Sequence, residues 1–222
     1  MTQLEPPGSA HDGAPSAFGL AAGGTARLRA PPVAGVSVAA ALRIRRTAAC
    51  VRAGGVVAYP TEAVFGIGCL PDDDEALARV LRIKRRSWRK GMLIVGASIE
   101  QIDRWAMLER SPLLDQILAS WPGPSTWVLP ARPRAPARLT GGRHTIAVRC
   151  TAHPIAAELC RQARSALVST SANTSGRPPL RESVDVRNTL GRVLDDVLPG
   201  PVGGRQSPTR ILDGLTGQVL RA

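Results

Sequence analysis

The sequence predicts an α/β domain built on a mixed sheet, because short apolar runs alternate with helical stretches along most of the chain. The first run is ended by Pro60, since proline interrupts the hydrogen bonding of a strand. A chain of 222 residues is also long enough to enclose one core of ordinary size. The predicted strands are 56–59, 92–95, 126–129, 145–148, 166–168, 211–212 and 219–220.

Helices are predicted where capping residues flank apolar positions three and four residues apart. The first begins near Ser37 and ends at Gly54-Gly55, because glycine is common at helix ends. The second follows 72–74, three aspartates that supply an N-cap and a negative charge beside the positive helix end. The others are two short helices after residue 95, the second with Ser111 as N-cap and Pro112 at its first position, and an amphipathic helix over 154–164.

Composition divides the chain into two parts. Residues 1–36 are rich in alanine, glycine and proline and show no sustained periodicity, so we expect a flexible extension that cannot bury enough surface to fold alone. Residues 37–222 carry the predicted strands and helices, and we expect them to form one domain. No internal repeat is present.

The formal net charge of +12 favours a polyanionic partner. A general preference for arginine explains the charge equally well, because arginine occurs throughout the chain. The four cysteines form no CxxC pair and do not combine with the three histidines at metal-ligand spacing, so we expect no structural zinc and a reducing compartment. No apolar run approaches the ~20 residues of a membrane span, and no signal-peptide pattern opens the chain. These patterns predict a cytoplasmic protein without a membrane partner.

Several predicted strands are followed by polar segments, at the place where α/β sheets tend to bind ligands. Thr61 and Glu62 follow the first strand, Arg149 follows the fourth, and 169–176 follows the fifth. The hydroxyl and amide groups of 169–176 can donate several hydrogen bonds to phosphate or carboxylate oxygens. Taken alone, this segment also fits an ordinary loop with a helix cap, and Glu62 fits either a base or a structural acceptor.

Lysine is restricted to two positions, Lys84 and Lys90, which flank residues 85–89. Lys84 is in phase with Leu77 and Leu81, so its stem is expected to lean towards the core side of the helix. An ammonium group directed inward requires an anion, and a ligand phosphate is one candidate. The alternative is a solvated basic helix end, favoured by the helix dipole.

The common nucleotide-binding and hydrolase motifs are missing from the sequence. No GxxxxGK[ST] loop is present, and Gly66-Ile67-Gly68 does not complete GxGxxG, so a nucleotide would bind outside the P-loop and Rossmann schemes. No GxSxG turn marks a serine nucleophile. His144 and His153 are expected to be surface or capping residues.

Seven segments, in order, resemble the YrdC-like family of threonylcarbamoyl-AMP synthases, in its short, single-domain bacterial form. Residues 58–68, Ala-Tyr-Pro-Thr-Glu-Ala-Val-Phe-Gly-Ile-Gly, resemble the opening signature of that family. Residues 84–86 resemble its KxR element and 171–173 its SxN element. The remaining segments are 121–126, 147–149, 209–213 and 220–221.

The resemblance implies a twisted mixed sheet flanked by helices, with a positively charged concave cavity. It also implies that bicarbonate and L-threonine form an N-carboxylated amino acid, whose carboxylate attacks the α-phosphate of ATP and expels pyrophosphate. Mg²⁺ would accompany the ATP. The product would pass to a tRNA threonylcarbamoyl transferase complex, and weak binding of tRNA itself stays open.

The resemblance assigns residues to the two substrates. Because one anion attacks another, we expect positioning and electrostatics to carry catalysis rather than proton transfer. The positions that match threonine-binding residues are Thr61, Arg149, Ser169 and Thr209. Those that match positions around the nucleotide are Lys84, Arg86, Thr145, Ser171, Asn173 and Arg221, among which Lys84, Arg86, Ser171 and Asn173 are the catalytic candidates.

Two features depart from the family pattern. Ser87 stands where proline often follows KxR, and Ser169-Thr170 replace the Ala-Pro of longer relatives. The main alternative function is a non-catalytic module that binds double-stranded RNA or tRNA, although no aromatic stacking motif supports it. The related carbamoyl-handling domain of hydrogenase-maturation proteins is set aside, because those proteins are longer and carry zinc-binding cysteine pairs.

Overall fold

The computed structural model describes residues 37–205 and 209–221. The extension predicted over 1–36 lies outside the described residues, so it stays a prediction. Of the domain predicted over 37–222, the structure describes all but 206–208 and residue 222.

A single mixed sheet forms the centre of the described domain, as the sequence predicts. Its nine strands are β1 (Val57–Pro60), β2 (Phe65–Gly68), β3 (Leu93–Gly96), β4 (Thr126–Pro130), β5 (Thr145–Cys150), β6 (Leu167–Ser171), β7 (Asp196–Val197), β8 (Ile211–Asp213) and β9 (Val219–Arg221). They follow the order β7-β1-β2-β6-β3-β5-β4-β8-β9. The pairs β1–β7, β3–β5 and β4–β8 are parallel, and the other neighbours are antiparallel.

The helices begin where the sequence supplies caps. Ser37 Oγ accepts a hydrogen bond from Ala40 N–H, and Asp73 Oδ1 accepts one from Ala76 N–H. The predicted start of the first helix near Ser37 and the predicted aspartate cap of the second are therefore confirmed. The α-helices are α1 (Val38–Arg52), α2 (Asp74–Lys84), α3 (Ile99–Asp103), α4 (Leu114–Ala119), α5 (Ala137–Thr140), α6 (Pro154–Ala163) and α7 (Ser183–Leu190), with 3₁₀ turns at Trp88–Lys90 and Leu108–Arg110.

The prediction for α4 was wrong at its start. Ser111 Oγ accepts from Leu113 N–H and donates to the carbonyl of Gly214, so its hydroxyl stabilises a turn and a distant loop. Pro112 lies in that turn, and the helix begins two residues later, at Leu114. A long-range hydrogen bond thus overrides a local capping signal.

Two predicted strand ends also differ from the structure. Pro60 is the last residue of β1 and pairs with Phe65, because proline is tolerated where no further ladder bond is needed. Strand β5 continues past Val148 through Arg149 and Cys150, which pair with the last residues of β3. Arg149 is therefore held on a strand rather than on a loop.

The core lies on both faces of the sheet, because successive residues of a strand point to opposite sides. Val57 and Tyr59 of β1 pack with α1 and α6, whereas Ala58 belongs to the larger cluster under α2 and α7. In β5, Ile146 and Val148 join that larger cluster. Thr145, Ala147 and Arg149 consequently face the opposite side of the sheet, on which α1 and α6 pack. They lie in an area of that side that neither helix covers.

Close packing at Gly68 yields a stability prediction. A Cβ atom there would lie against the Val168 carbonyl oxygen and 2.8 Å from Cε1 of the buried Tyr59 ring. We expect Gly68→Ala to lower the free energy of unfolding by about 1–3 kcal/mol, because neither neighbour can move away freely. Chemical denaturation measures this. Gly204→Ala is the control, since a Cβ atom there has no neighbour within 4 Å; equal stability of the two variants would contradict the packing argument.

Candidate functional site

The outward-facing residues of the strands form the floor of a cavity of about 920 Å³. Thr126 and Val128 of β4, Thr145 of β5 and Ser169 and Ser171 of β6 lie on this floor. Basic side chains dominate its charged lining, in which Asp213 is the one carboxylate among the described residues. The basic residues are Arg86, Lys90, Arg143, Arg149, Arg181 and Arg221.

The structure brings together the four residues assigned to threonine. Thr61, Arg149, Ser169 and Thr209 all line the cavity. Thr61 is fixed by the turn between β1 and β2, where its N–H and its hydroxyl both donate to the carbonyl of Val64 at 3.1 and 2.7 Å. Arg149 Nη1 donates to Thr209 Oγ1 at 2.8 Å, which joins β5 to the segment that leads into β8.

Arg149 is a buried cation, with only 4% of its side chain exposed. Its Nη2 lies 3.5 Å from Oε2 of Glu62, whose side chain is 9% exposed. Within the described residues, Arg149 Nε and Glu62 Oε2 have no hydrogen-bond partner. A guanidinium carries five N–H donors, so Arg149 retains unused donors at the cavity floor.

The six residues assigned to the nucleotide fall into two sets. Thr145, Arg86, Ser171 and Arg221 line the cavity. In the described part of the chain, Lys84 and Asn173 lie behind this lining and contact each other. The structure therefore brings the KxR and SxN elements into contact. It places the lysine and the asparagine behind the residues that line the cavity, not among them.

Lys84 is buried at the last position of α2, which confirms its predicted inward orientation. Its Nζ donates to the carbonyl oxygens of Ser171 and Asn173, at 2.5 and 2.6 Å, and to Asn173 Oδ1, at 2.5 Å. An ammonium has three protons, so these acceptors use its full capacity. Burial, together with the positive charge of Arg86, lowers the pKa of Lys84 to about 8.

The lysine thereby shapes the loop that follows β6. Ser171 Oγ donates to Asn173 Oδ1 at 2.7 Å, while Asn173 Nδ2 donates to the carbonyl of Thr174 at 3.1 Å. Arg85, the next residue after Lys84, adopts the left-handed conformation with φ of 47° and ends the helix. The chain then turns so that Arg86 lines the cavity.

Arg86 is the centre of a cationic group at one end of the cavity. Its Nη2 donates to the carbonyl of Gly91 at 3.2 Å, and its buried Nε has no partner among the residues described. Burial, followed by the charges of Arg221 and Arg143, lowers the pKa of Arg86. Positive charges held this close together favour the binding of an anion with several negative charges.

The sequence of this chain matches one protein-family model, named for Sua5, YciO and YrdC and described as "Telomere recombination", over residues 49–222. The chain belongs to this family. The threonylcarbamoyl-AMP synthase of Alkalilimnicola ehrlichii is 52% identical over 183 residues, which are 81% of this chain and 95% of that protein. The threonylcarbamoyl-AMP synthase of Stenotrophomonas maltophilia is 49% identical over 183 residues, 82% of this chain and 98% of that protein.

Solved structures of the Sua5/YciO/YrdC family share the fold. P. abyssi Sua5, crystallised in complex with L-threonine, superimposes with a TM-score of 0.75 at 33% identity, covering 82% of this chain and 54% of the Sua5 chain. E. coli YciO gives a TM-score of 0.72 at 24% identity, covering 82% of this chain and 89% of that chain, and supports the fold alone. The predicted twisted mixed sheet flanked by helices is thus confirmed.

In the part of the chain that the structure describes, no cluster of side chains suits a resident metal ion. Over 37–205 and 209–221, no group of three or more histidine, cysteine, aspartate or glutamate side chains could hold an ion. Asp213, the carboxylate of the lining, has one oxygen engaged, because its Oδ1 accepts from the N–H groups of Leu215 and Thr216. The lining therefore does not fit a protein-bound metal site. The Mg²⁺ expected to accompany ATP stays a prediction.

Sequence reasoning missed Lys90, Arg143 and Arg181 as lining residues. Arg143 donates to the carbonyls of Arg89 and Lys90, at 2.8 and 3.2 Å, and so holds the segment after Arg86 against α5. Ser87, the departure from the proline pattern, caps the 3₁₀ turn in the same segment by accepting from Arg89 N–H. Because arginine is frequent throughout this chain, no local signal separates Arg143 and Arg181 from surface arginines. Lys90 did carry a signal, as one of the two lysines, but it was not assigned to a substrate.

Proposed function

We propose that this chain is a threonylcarbamoyl-AMP synthase, which condenses L-threonine, bicarbonate and ATP into threonylcarbamoyl-AMP and pyrophosphate. The observation that carries the proposal is one cavity with two different anion-binding ends. Arg149 and Thr209 form one end, and Arg86, Arg143 and Arg221 form the other. The two ends adjoin, because Arg221 Nη2 donates to the carbonyl of Thr209 at 3.2 Å. The named relatives and the threonine complex of P. abyssi Sua5 support the same assignment.

The first end suits a small amino acid. The unused N–H groups of Arg149 can bind a carboxylate through two parallel hydrogen bonds, which fixes both its position and its orientation. The hydroxyls of Thr61 and Ser169 lie on the same floor and add polar contacts. We assign L-threonine to this end.

The second end suits the phosphates of ATP. Arg86 and Arg221 supply planar forks that match phosphate oxygens. Ser171 supplies a hydroxyl that is held by its hydrogen bond to Asn173 Oδ1, which in turn accepts from Lys84. In our mechanism the threonine amine attacks the bicarbonate carbon, and water leaves to give N-carboxythreonine. An oxygen of that new carboxylate then attacks the α-phosphorus and expels pyrophosphate, while the cations reduce repulsion between the two anions.

The chemistry of the product indicates what must happen to it after release. A mixed anhydride hydrolyses readily, so we propose that it passes to a tRNA threonylcarbamoyl transferase complex in the cytoplasm. None of the helices in the described ranges is long and apolar enough to cross a membrane. The alternative of a non-catalytic RNA-binding module is not favoured, because the relatives at about half identity are named as synthases.

The test is product formation by the purified full chain. Incubation with labelled bicarbonate, L-threonine and ATP should give labelled threonylcarbamoyl-AMP and an equal amount of pyrophosphate, each dependent on all three substrates. D-threonine serves as the control amino acid. Salt-sensitive tRNA binding without any turnover would reject the synthase in favour of the RNA-binding module.

The lowered pKa of Lys84 predicts a pH dependence for nucleotide binding. Below a pH of about 8 the ammonium is charged and serves all three acceptors; above it the neutral amine has one donor fewer and no charge. We therefore expect the affinity for a non-hydrolysable ATP analogue to fall as pH rises through about 8. Isothermal titration calorimetry at stepped pH measures this. Lys84→Arg should flatten the profile, because arginine stays protonated; parallel profiles would exclude Lys84 as the titrating group.

A further inference from the structure

The carboxylate of Glu62 lies directly behind the threonine end of the cavity, outside its lining. Oε1 accepts a hydrogen bond from Thr151 Oγ1 at 2.6 Å, and Oε2 faces Arg149 Nη2 at 3.5 Å. A buried carboxylate loses much hydration, and a nearby cation offsets that loss only when the pair is well placed. Glu62 and Arg149 are thus coupled, and the position of one constrains the other.

Arg149 is held from two sides by this arrangement. Thr209 accepts from Nη1, while Glu62 attracts Nη2, so two of the three guanidinium nitrogens have fixed neighbours. Because the guanidinium is planar, these two contacts determine the plane in which its remaining N–H groups point. Without Glu62, the group could rotate about its stem and still keep the contact with Thr209.

Thr151 fixes the carboxylate in turn. Its hydroxyl accepts from the N–H of His153 at 3.1 Å, so its one proton is directed to Glu62. Its backbone N–H donates to the carbonyl of Gly96, which anchors Thr151 to the end of β3. His153 is itself the cap of α6, with Nδ1 accepting from Ala156 N–H. A continuous series of hydrogen bonds therefore links the α6 cap to Glu62.

We propose that Glu62 and Thr151 are positioning residues that orient Arg149 towards the carboxylate of L-threonine. The proposal rests on the proposed function, since it concerns the threonine end of the same cavity. Neither residue lines the cavity. Their effect is transmitted through the plane of the Arg149 guanidinium, so it falls on threonine rather than on ATP.

The experiment separates substrate orientation from general damage. Thr151→Val removes the hydroxyl at nearly constant shape, Thr151→Ser keeps the hydroxyl, and Glu62→Gln keeps an acceptor for Thr151 but removes the charge. KM for threonine, KM for ATP and kcat are measured for each variant, with circular dichroism as the folding check. Glu158→Gln is the matched control, because Glu158 pairs with Arg161 away from the cavity.

We expect Thr151→Val and Glu62→Gln to raise KM for threonine by about 10-fold to 100-fold, the loss typical of slightly misplaced groups, with KM for ATP unchanged. Thr151→Ser should restore the wild-type KM. A folded Glu62→Gln with normal KM for threonine, an equal rise in both KM values, or a failure of Thr151→Ser to recover overturns this inference while the synthase assignment stands. A wild-type chain that neither binds threonine nor forms product overturns both.

Discussion

Lys84→Ala is expected to lower kcat/KM for threonylcarbamoyl-AMP formation by a factor of about 10² to 10³, comparable with the loss of one preorganised donor in other active sites. The expected loss has two causes. A positive charge beside the cavity disappears, and the loop after β6 is no longer held in place. Lys84 Nζ holds two carbonyl oxygens and the Asn173 side chain, and its removal leaves three acceptors without their donor. Ser171 then loses its fixed position on the cavity floor. Pyrophosphate release that depends on threonine and bicarbonate measures the effect.

The control for this variant is Arg82→Ala, because Arg82 lies on the same helix and is exposed. It removes one positive charge without touching the loop after β6, so near-normal activity is expected. Circular dichroism should show that both variants stay folded. Normal turnover by folded Lys84→Ala would defeat the mechanism, since it would mean that neither the charge nor the position of the loop matters.

Local signals in the sequence were sufficient to predict most of the sheet and the principal helices. Caps at Ser37 and Asp73 and the apolar spacing of α2 depend on neighbours in the chain, so they can be recognised before the fold is known. The inward direction of Lys84 followed from the same spacing. Its acceptors could not be predicted, because they belong to a loop that β6 brings in from 87 residues away.

Elements that depend on distant partners were missed. Strand β2 contains Gly66 and Gly68, which lack strand propensity, yet their small size lets Tyr59 and Ser169 approach closely. Strand β7 has only two residues and exists because Asp196 and Val197 pair with β1. The two short helices α5 and α7 were not predicted either. Arg143 and Arg181 were missed for the same reason, because they line the cavity only through contacts with residues distant in the sequence.

Arg149→Ala is expected to abolish threonine-dependent turnover and also to destabilise the chain. Removal of the guanidinium takes away the proposed carboxylate clamp, the hydrogen bond to Thr209 and the cation beside Glu62. A buried carboxylate left without its partner costs about 3–5 kcal/mol of folding stability. Chemical denaturation and threonine titration therefore report two separate losses from one substitution.

Arg149→Lys tests the positive charge of Arg149 separately from its planar guanidinium group. Lysine keeps a cation for Glu62, so most of the stability should return, but it cannot make two parallel hydrogen bonds to a carboxylate. We expect kcat/KM for threonine to stay reduced by a factor of about 10 to 100, the equivalent of one charge-assisted hydrogen bond. Arg161→Ala, which removes an exposed arginine of α6, is the control for charge alone. If Arg149→Lys binds threonine as tightly as the wild type, positive charge alone is sufficient at this end of the cavity, and the carboxylate clamp assigned to Arg149 is wrong.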